Sequence, residues 1–271
     1  YHPLMRPALL GGVFGYTLGG LAVMVDLGRY WHAFHLLMPW YAQPNSVILE
    51  VGLCVMAYIT VLWLEFWPTF LERMPLGFKQ RFGLDKLQAF LKRYMYVLVA
   101  LGVLLPTMHQ SSLGTVLLIL GYKLPPLWNT QWLPLLFLSS ALAMGYGVVM
   151  LEATLVNRAF NTPSEVRLFA RLSKVAAGLL IGFSVLRWAD VMARGQLDLA
   201  FAGDLNGNLF LLETVLFLAP VFILLSERRW SQRWQFLGAV CILAAGSLYR
   251  LDSYLITLQP GNGWTYSPSA P

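Results

Sequence analysis

Residues 132–155, WLPLLFLSSALAMGYGVVMLEATL, contain one charged side chain, Glu152, in 24 positions. A run of about 20 mostly apolar residues is long enough to cross a bilayer as an α-helix. Six further apolar stretches are candidate spans, at 7–25, 46–66, 94–105, 175–190, 205–226 and 234–249. Several have charge-free cores shorter than 20 residues, and we expect the third to run a little past Pro106. The sequence therefore predicts an all-α, polytopic membrane helix bundle with seven spans, and we expect residues 1–271 to form a single integral membrane domain.

The overall composition supports a membrane protein. Of the 271 residues, 58% are hydrophobic and 12% are charged, and the mean hydropathy is +0.61. A soluble domain has about 25% charged residues, so this chain has too few to cover a water-facing surface. This excludes a secreted disulfide scaffold and a soluble basic protein that binds nucleic acid, although the net charge is +6.

The basic residues alternate in density between successive connections. One set of alternate connections contains 14 of the 19 Lys and Arg residues, and the other set contains 5. Cytoplasmic loops are enriched in Lys and Arg. This rule predicts a multi-pass protein of the bacterial inner membrane, with residue 1 on the cytoplasmic side and residue 271 on the periplasmic side.

Small residues mark the first span. Gly11, Gly15 and Gly19 are four residues apart in GGVFGYTLGG, so they share one face of a helix. Such a face lets a second helix approach closely. We therefore expect a helix-packing seam here, because a dinucleotide-binding glycine loop would need a preceding strand in a soluble βαβ unit.

The cysteines and histidines limit the cofactors that this chain can bind alone. The two cysteines, Cys54 and Cys241, lie in apolar runs without a C-x-x-C motif, whereas an iron–sulfur cluster needs about four thiolates. His2, His32, His35 and His109 do not form a pair within facing spans. We expect neither a haem nor an iron–sulfur cluster to be ligated by this chain.

Polar residues within the spans are the candidates for function. A carboxylate in a span costs about 2.5–3.5 kcal/mol on insertion scales, so it usually has a partner or a role. Under the predicted topology Asp26, Arg29, Glu50 and His109 lie towards the outer side, Tyr16 lies near mid-membrane and Glu152 lies towards the inner side. Structural alternatives remain open: Asp26 and Arg29 form an ion pair at a helix end, and Tyr16 is a packed aromatic residue.

Residues 104–114, LLPTMHQSSLG, are the most unusual segment. Pro106 removes a backbone donor and disfavours a continuing helix. We expect a broken helix followed by a re-entrant piece, with His109 lining a functional pocket. An imidazole there can exchange protons near neutral pH.

Several segments together resemble one family. They are residues 1–20 (YHPLMRPALLGGVFGYTLGG), 26–31 (DLGRYW), 104–114 and 199–204 (LAFAGD). The pattern resembles the NrfD / polysulphide-reductase membrane-subunit family over essentially the whole chain. The HybB-type branch, the membrane subunits of nickel–iron hydrogenases, is similar, and so is the DsrP-type branch of sulfur-metabolism complexes.

The resemblance implies a ten-helix protein, so we expect this chain to be a fragment without about two helices at its start and one at its end. It implies a haem-free, quinone-reactive subunit that binds menaquinone or ubiquinone. It also implies a periplasmic, ferredoxin-like iron–sulfur partner and catalytic subunits, most readily those of a nickel–iron hydrogenase.

The resemblance also suggests roles for particular residues. His109, Gln110, Ser112 and Arg29 would form the quinone pocket, and His109, Glu50, Asp26 and Tyr16 would serve quinone protonation. Glu152, Glu50 and Tyr16 would form a proton route coupled to proton translocation. The alternatives are a DsrP-type subunit, a non-redox transporter with a buried carboxylate site, and a pure membrane anchor.

Overall fold

A computed structural model describes residues 2–72, 74–160, 166–259 and 261, with the backbone alone for residues 2–7 and 76. Among these described residues, seven helices are long and apolar enough to cross a membrane. They are α1 (His2–Asp26), α2 (Val47–Glu72), α5 (Met95–Ile119), α6 (Leu133–Phe160), α7 (Val166–Ala193), α9 (Leu205–Leu225) and α10 (Gln232–Leu251). The predicted all-α bundle with seven spans is confirmed.

Shorter elements connect the spans. A 3₁₀-helix occupies Tyr30–Leu37, and two short helices that we did not predict, α3 (Leu76–Arg81) and α4 (Leu84–Arg93), lie in the most basic connection. One further short helix, α8 (Leu197–Ala200), precedes α9, and α10 ends in a π-helical turn at Asp252–Ile256.

The chain divides into two compact units, residues 1–112 and 113–271. In the first unit α1 and α4 both contact α2. In the second unit α6 contacts α7, α7 contacts α9, α9 contacts α10 and α10 contacts α6, which closes a ring of four helices. This ring of four helices encloses a core of buried side chains that includes Phe137, Leu180, Phe217 and Tyr249. The expectation of a single domain over residues 1–271 stays a prediction.

The contact between α1 and α2 does not use the predicted glycine seam. An added Cβ atom at Gly20 would lie 2.9 Å from Ile59 Cδ1, and one at Gly12 would lie 3.6 Å from Leu62 Cδ2. By contrast, added Cβ atoms at Gly15 and Gly19 would meet no described atom within 4 Å. Helix α2 therefore approaches α1 at Gly12 and Gly20, and not at Gly15 and Gly19 of the predicted seam.

The predicted break at Pro106 is wrong. Helix α5 runs without interruption from Met95 to Ile119. A proline removes one hydrogen bond from a helix, and spanning helices tolerate this where nearby side chains compensate. The carbonyl that loses its donor to Pro106 is that of Gly102, four residues earlier, and the Thr107 hydroxyl donates to a different carbonyl, that of Leu104, at 2.7 Å. His109 therefore lies within a spanning helix rather than in a re-entrant segment.

Gly114 on α5 provides a sharp test of packing in the second unit. An added Cβ atom there would lie 2.6 Å from both Leu133 O and Pro134 Cα, which are backbone atoms that cannot turn away. We expect Gly114→Ala to destabilise the protein by about 1–3 kcal/mol, as overpacking does. The measurement is thermal unfolding of the purified protein in detergent.

Gly145→Ala on α6 is the matched control for this substitution. No described atom outside its own helix lies within 4 Å of an added Cβ atom at Gly145, and alanine is favoured over glycine in helices by about 1 kcal/mol. Its unfolding temperature should stay the same or rise. Equal unfolding temperatures for Gly114→Ala and the unmodified protein would contradict the close approach of these two backbones.

Candidate functional site

The first unit brings His109 and Tyr16 together. The His109 side chain is only 4% exposed. Its ring stands edge-on to that of Tyr16, with the ring centroids 5.9 Å apart at an interplanar angle of 89°. The side-chain amide of Gln110 donates a hydrogen bond to His109 Nε2 at 2.9 Å. A neutral His109 then has its proton on Nδ1, so this ring can both accept and donate protons.

A second tyrosine, Tyr58 on α2, completes the aromatic part of this site. Its ring meets that of Tyr16 edge-on, with centroids 4.5 Å apart and an interplanar angle of 89°. Edge-to-face packing is a favoured aromatic geometry, and it holds two phenol groups near the imidazole of His109. Sequence reasoning missed Tyr58. The available signal was its position eight residues after Glu50, which puts both residues on one face of α2.

Glu50 and Ser112 form the polar part of the site. The Ser112 hydroxyl is buried and donates to Glu50 Oε1 at 2.8 Å, across 62 residues of sequence. Ser112 lies three residues after His109 on α5, and residues at that spacing are neighbours on a helix surface. The imidazole, the hydroxyl and the carboxylate therefore occupy adjacent turns. We define Tyr16, Glu50, Tyr58, His109, Gln110 and Ser112 as the His109 cluster.

Three other predicted residues lie elsewhere. Asp26 and Arg29 are both exposed, at the end of α1 and just before the 3₁₀-helix. No ion pair joins them within the described part of the chain. Glu152 is partly buried on α6, in the second unit. The assignment of Asp26, Arg29 and Glu152 to quinone binding or a proton route stays a prediction.

The second unit has its own buried polar group. Arg187 on α7 forms an ion pair with Glu213 on α9, and their side chains are 4% and 0% exposed. The indole N–H of Trp128 donates to Glu213 Oε1 at 3.3 Å. Asp252, at the end of α10, is also completely buried. Sequence reasoning did not pair Arg187 with Glu213.

Aromatic rings surround this ion pair. The guanidinium carbon of Arg187 lies 4.3 Å from the ring centroid of Phe210, 5.1 Å from that of Tyr249 and 5.7 Å from that of Trp128. Cation–π contacts strengthen when the cation is removed from water. One carboxylate and three ring faces stabilise the guanidinium charge of Arg187 inside the bundle. The ion pair therefore stabilises the packing of α7 against α9.

The positions of the described histidines decide whether two of them could ligate one haem. His32 Nδ1 and His35 Nε2 lie 3.4 Å apart in an exposed 3₁₀-helix, so they cannot stand on opposite faces of one porphyrin. Among the described side chains no group of three metal-ligating residues occurs, and His109 faces Tyr16. These residues do not fit a bis-histidine haem within the bilayer. The expectation of a haem-free chain stays a prediction.

The fold and the site define an integral, multi-pass membrane protein with protonatable side chains gathered inside its spans. Comparison with known proteins gives the family. The family model described as "Polysulphide reductase, NrfD" matches residues 1–257, and the chain belongs to this NrfD family.

Two named relatives are membrane subunits of oxidoreductases. The chain is 41% identical over 273 residues to the "Probable Ni/Fe-hydrogenase 2 b-type cytochrome subunit" of Escherichia coli (strain K12), covering 99% of this chain and 68% of that protein. It is 26% identical over 205 residues to the "Menaquinone reductase, integral membrane subunit" of Nitratidesulfovibrio vulgaris (strain Hildenborough), covering 70% and 46%. Another protein of that organism is 37% identical over 186 residues, 68% of this chain and 44% of its own length.

Proposed function

We propose that this chain is the quinone-reactive membrane subunit of a redox complex, which exchanges electrons between a partner's iron–sulfur clusters and the membrane quinone pool. The His109 cluster carries this proposal. A quinone needs hydrogen-bond donors at its carbonyl oxygens and protonatable groups within about 2.6–3.2 Å, directly or through one water. The cluster offers both within one helical unit.

The cluster residues divide the chemistry between them. His109 and Gln110 supply N–H donors, and Ser112 supplies a hydroxyl whose orientation Glu50 sets by accepting its hydrogen bond at 2.8 Å. Reduction of a quinone takes two electrons and two protons. The electrons come from the partner's iron–sulfur cluster. The side chains of the His109 cluster hold the protons at the quinone oxygens. Menaquinone and ubiquinone both satisfy these requirements, and the menaquinone reductase relative supports the former.

The other relative supports a particular kind of partner. The similarity to a nickel–iron hydrogenase subunit extends along 99% of this chain, which supports a hydrogen:quinone oxidoreductase with a ferredoxin-like iron–sulfur subunit on the periplasmic face. The unequal distribution of Lys and Arg supports an inner-membrane protein with residue 1 in the cytoplasm. Coupling to proton translocation, with Glu152 in the route, belongs to the same proposal.

The test uses the intact complex in liposomes that contain menaquinone, with a reduced viologen dye as the electron donor to the iron–sulfur partner. We expect bound quinone in a lipid extract of the purified complex, together with dye oxidation that depends on added quinone. A complex that contains no quinone and oxidises the dye equally without it would contradict the proposed function.

A further inference from the structure

Glu65 on α2 is a buried carboxyl group that the proposed function does not use. Its Oε1 atom is inaccessible to solvent and accepts no hydrogen bond from the described residues. The nearby apolar cluster consists of Val61, Trp67, Leu91, Met95, Leu98, Leu101 and Leu105. A polar atom without a partner in such surroundings costs free energy, so its retention calls for a specific role.

Gly102 on α5 makes room for this carboxyl group. An added Cβ atom at Gly102 would lie 2.8 Å from Glu65 Oε1, so any larger residue would force the carboxyl group to move. Pro106 lies four residues further along α5 and has no N–H group, which deprives the Gly102 carbonyl of its usual helical donor. Gly102 thus combines the space for the Glu65 carboxyl group with a carbonyl oxygen that has no helical donor.

The position of Glu65 relates it to the His109 cluster. Glu50, Tyr58 and Glu65 follow one another along α2 at spacings of eight and seven residues, which keeps them on about the same face. With a rise of about 1.5 Å per residue, Glu65 lies about 10 Å from Tyr58 and on the opposite side of it from Glu50. Glu65 therefore extends the cluster towards the other membrane surface.

We propose that Glu65 is the residue that delivers protons to the His109 cluster from the side of the membrane where α2 ends. This inference rests on the proposed function. When a quinone in the cluster receives two electrons from the partner's iron–sulfur cluster, the Glu65 carboxyl group releases its proton by way of water and the Tyr58 hydroxyl to the reduced quinone oxygen. Glu65 then takes up a proton from the aqueous phase at the α2 C-terminal end, and two such passages deliver the two protons that the two-electron reduction of one quinone requires.

The decisive variant is Glu65→Gln in the intact complex. It keeps the size and polarity of the side chain but removes the exchangeable acid proton. We expect the quinone reduction rate to fall about tenfold, less than the roughly 10²–10⁴-fold that a group acting directly on the reacting atoms contributes, because Glu65 acts through Tyr58. The amount of bound quinone stays the same. Acetic acid, a small proton donor that crosses membranes, should restore much of the rate.

Glu72→Gln is the matched control. It lies seven residues further along α2 but is exposed, with its carboxylate paired to Lys92 at 2.9 Å. We expect the quinone reduction rate of this variant to equal that of the unmodified complex, with or without acetic acid.

Gly102→Ala tests the same idea without removing the acid. The new methyl group would displace the Glu65 carboxyl group, so we expect a slower quinone reduction that acetic acid also restores. Alanine is the better helix former, so helix propensity cannot explain a loss.

Two results would overturn the inference while leaving the proposed function in place: a Glu65→Gln complex with the full rate, and one with a reduced rate that has lost its quinone and does not respond to acetic acid. The second result would assign Glu65 a structural role. If the unmodified complex shows no quinone-dependent reaction, the proposed function itself fails. That result is obtained without any Glu65 variant, so the two failures are distinguishable.

Discussion

Arg187→Met is expected to destabilise the second unit by about 3–5 kcal/mol, because it leaves the carboxylate of Glu213 buried without its cation. Glu213 is 0% exposed, so water cannot replace the guanidinium, and the remaining hydrogen bond from Trp128 is a long one at 3.3 Å. The substitution also removes the cation from the faces of Phe210 and Tyr249. A large fall in unfolding temperature should result.

The measurement can use the two free cysteines of the protein. Cys54 is buried and Cys241 is partly buried, so a thiol-reactive fluorescent dye reports their exposure as the protein unfolds. Lys92→Met is the control, because the Glu72–Lys92 pair has side chains that are 41% and 53% exposed and such pairs contribute about 0–1 kcal/mol.

A double substitution separates the cost of an unpaired charge from the value of the pair. Arg187→Met combined with Glu213→Leu removes both charges, and replacing a whole buried ion pair by apolar residues is often neutral or stabilising. We expect the double variant to recover most of the unfolding temperature that Arg187→Met loses. If both variants unfold like the unmodified protein, Arg187 and Glu213 are not paired in a water-free interior.

His109→Leu is expected to lower quinone reduction by about 10²-fold, the lower end of what a positioned acid–base group contributes. Leucine fills a similar volume beside Tyr16, whose ring centroid lies 5.9 Å from that of His109, but it can neither donate a hydrogen bond nor carry a proton. The measurement is the rate of quinone-dependent dye oxidation by the intact complex, with its dependence on quinone concentration.

Met108→Leu provides the control for this substitution. Met108 precedes His109 on α5 and is 40% exposed, so the change alters the same helix without removing a polar group. We expect the rate of this variant to match that of the unmodified complex. A His109→Leu complex with an unchanged rate and an unchanged response to quinone would show that the His109 cluster is not the quinone site.

Much of the candidate site could be predicted from residue type and topology. His109, Glu50, Tyr16 and Ser112 stand out because polar side chains are costly in a span. With Gln110, five of the cluster's six members were named from the sequence, and Tyr58 was missed. The errors concern local geometry. Pro106 was expected to break α5, but the helix continues past it and through His109.

The sequence alone determined the number of spans, because the requirement to bury backbone hydrogen bonds in lipid leaves a long apolar segment little choice but to form a helix. The identity of each polar partner depended on the tertiary structure. Helix rotation decides whether Tyr58 meets Tyr16, whether Arg187 faces Glu213 and whether Gly102 lies against Glu65. These contacts join residues 26 to 42 positions apart in the chain, and side-chain packing between helices, rather than hydropathy along any one of them, sets that rotation.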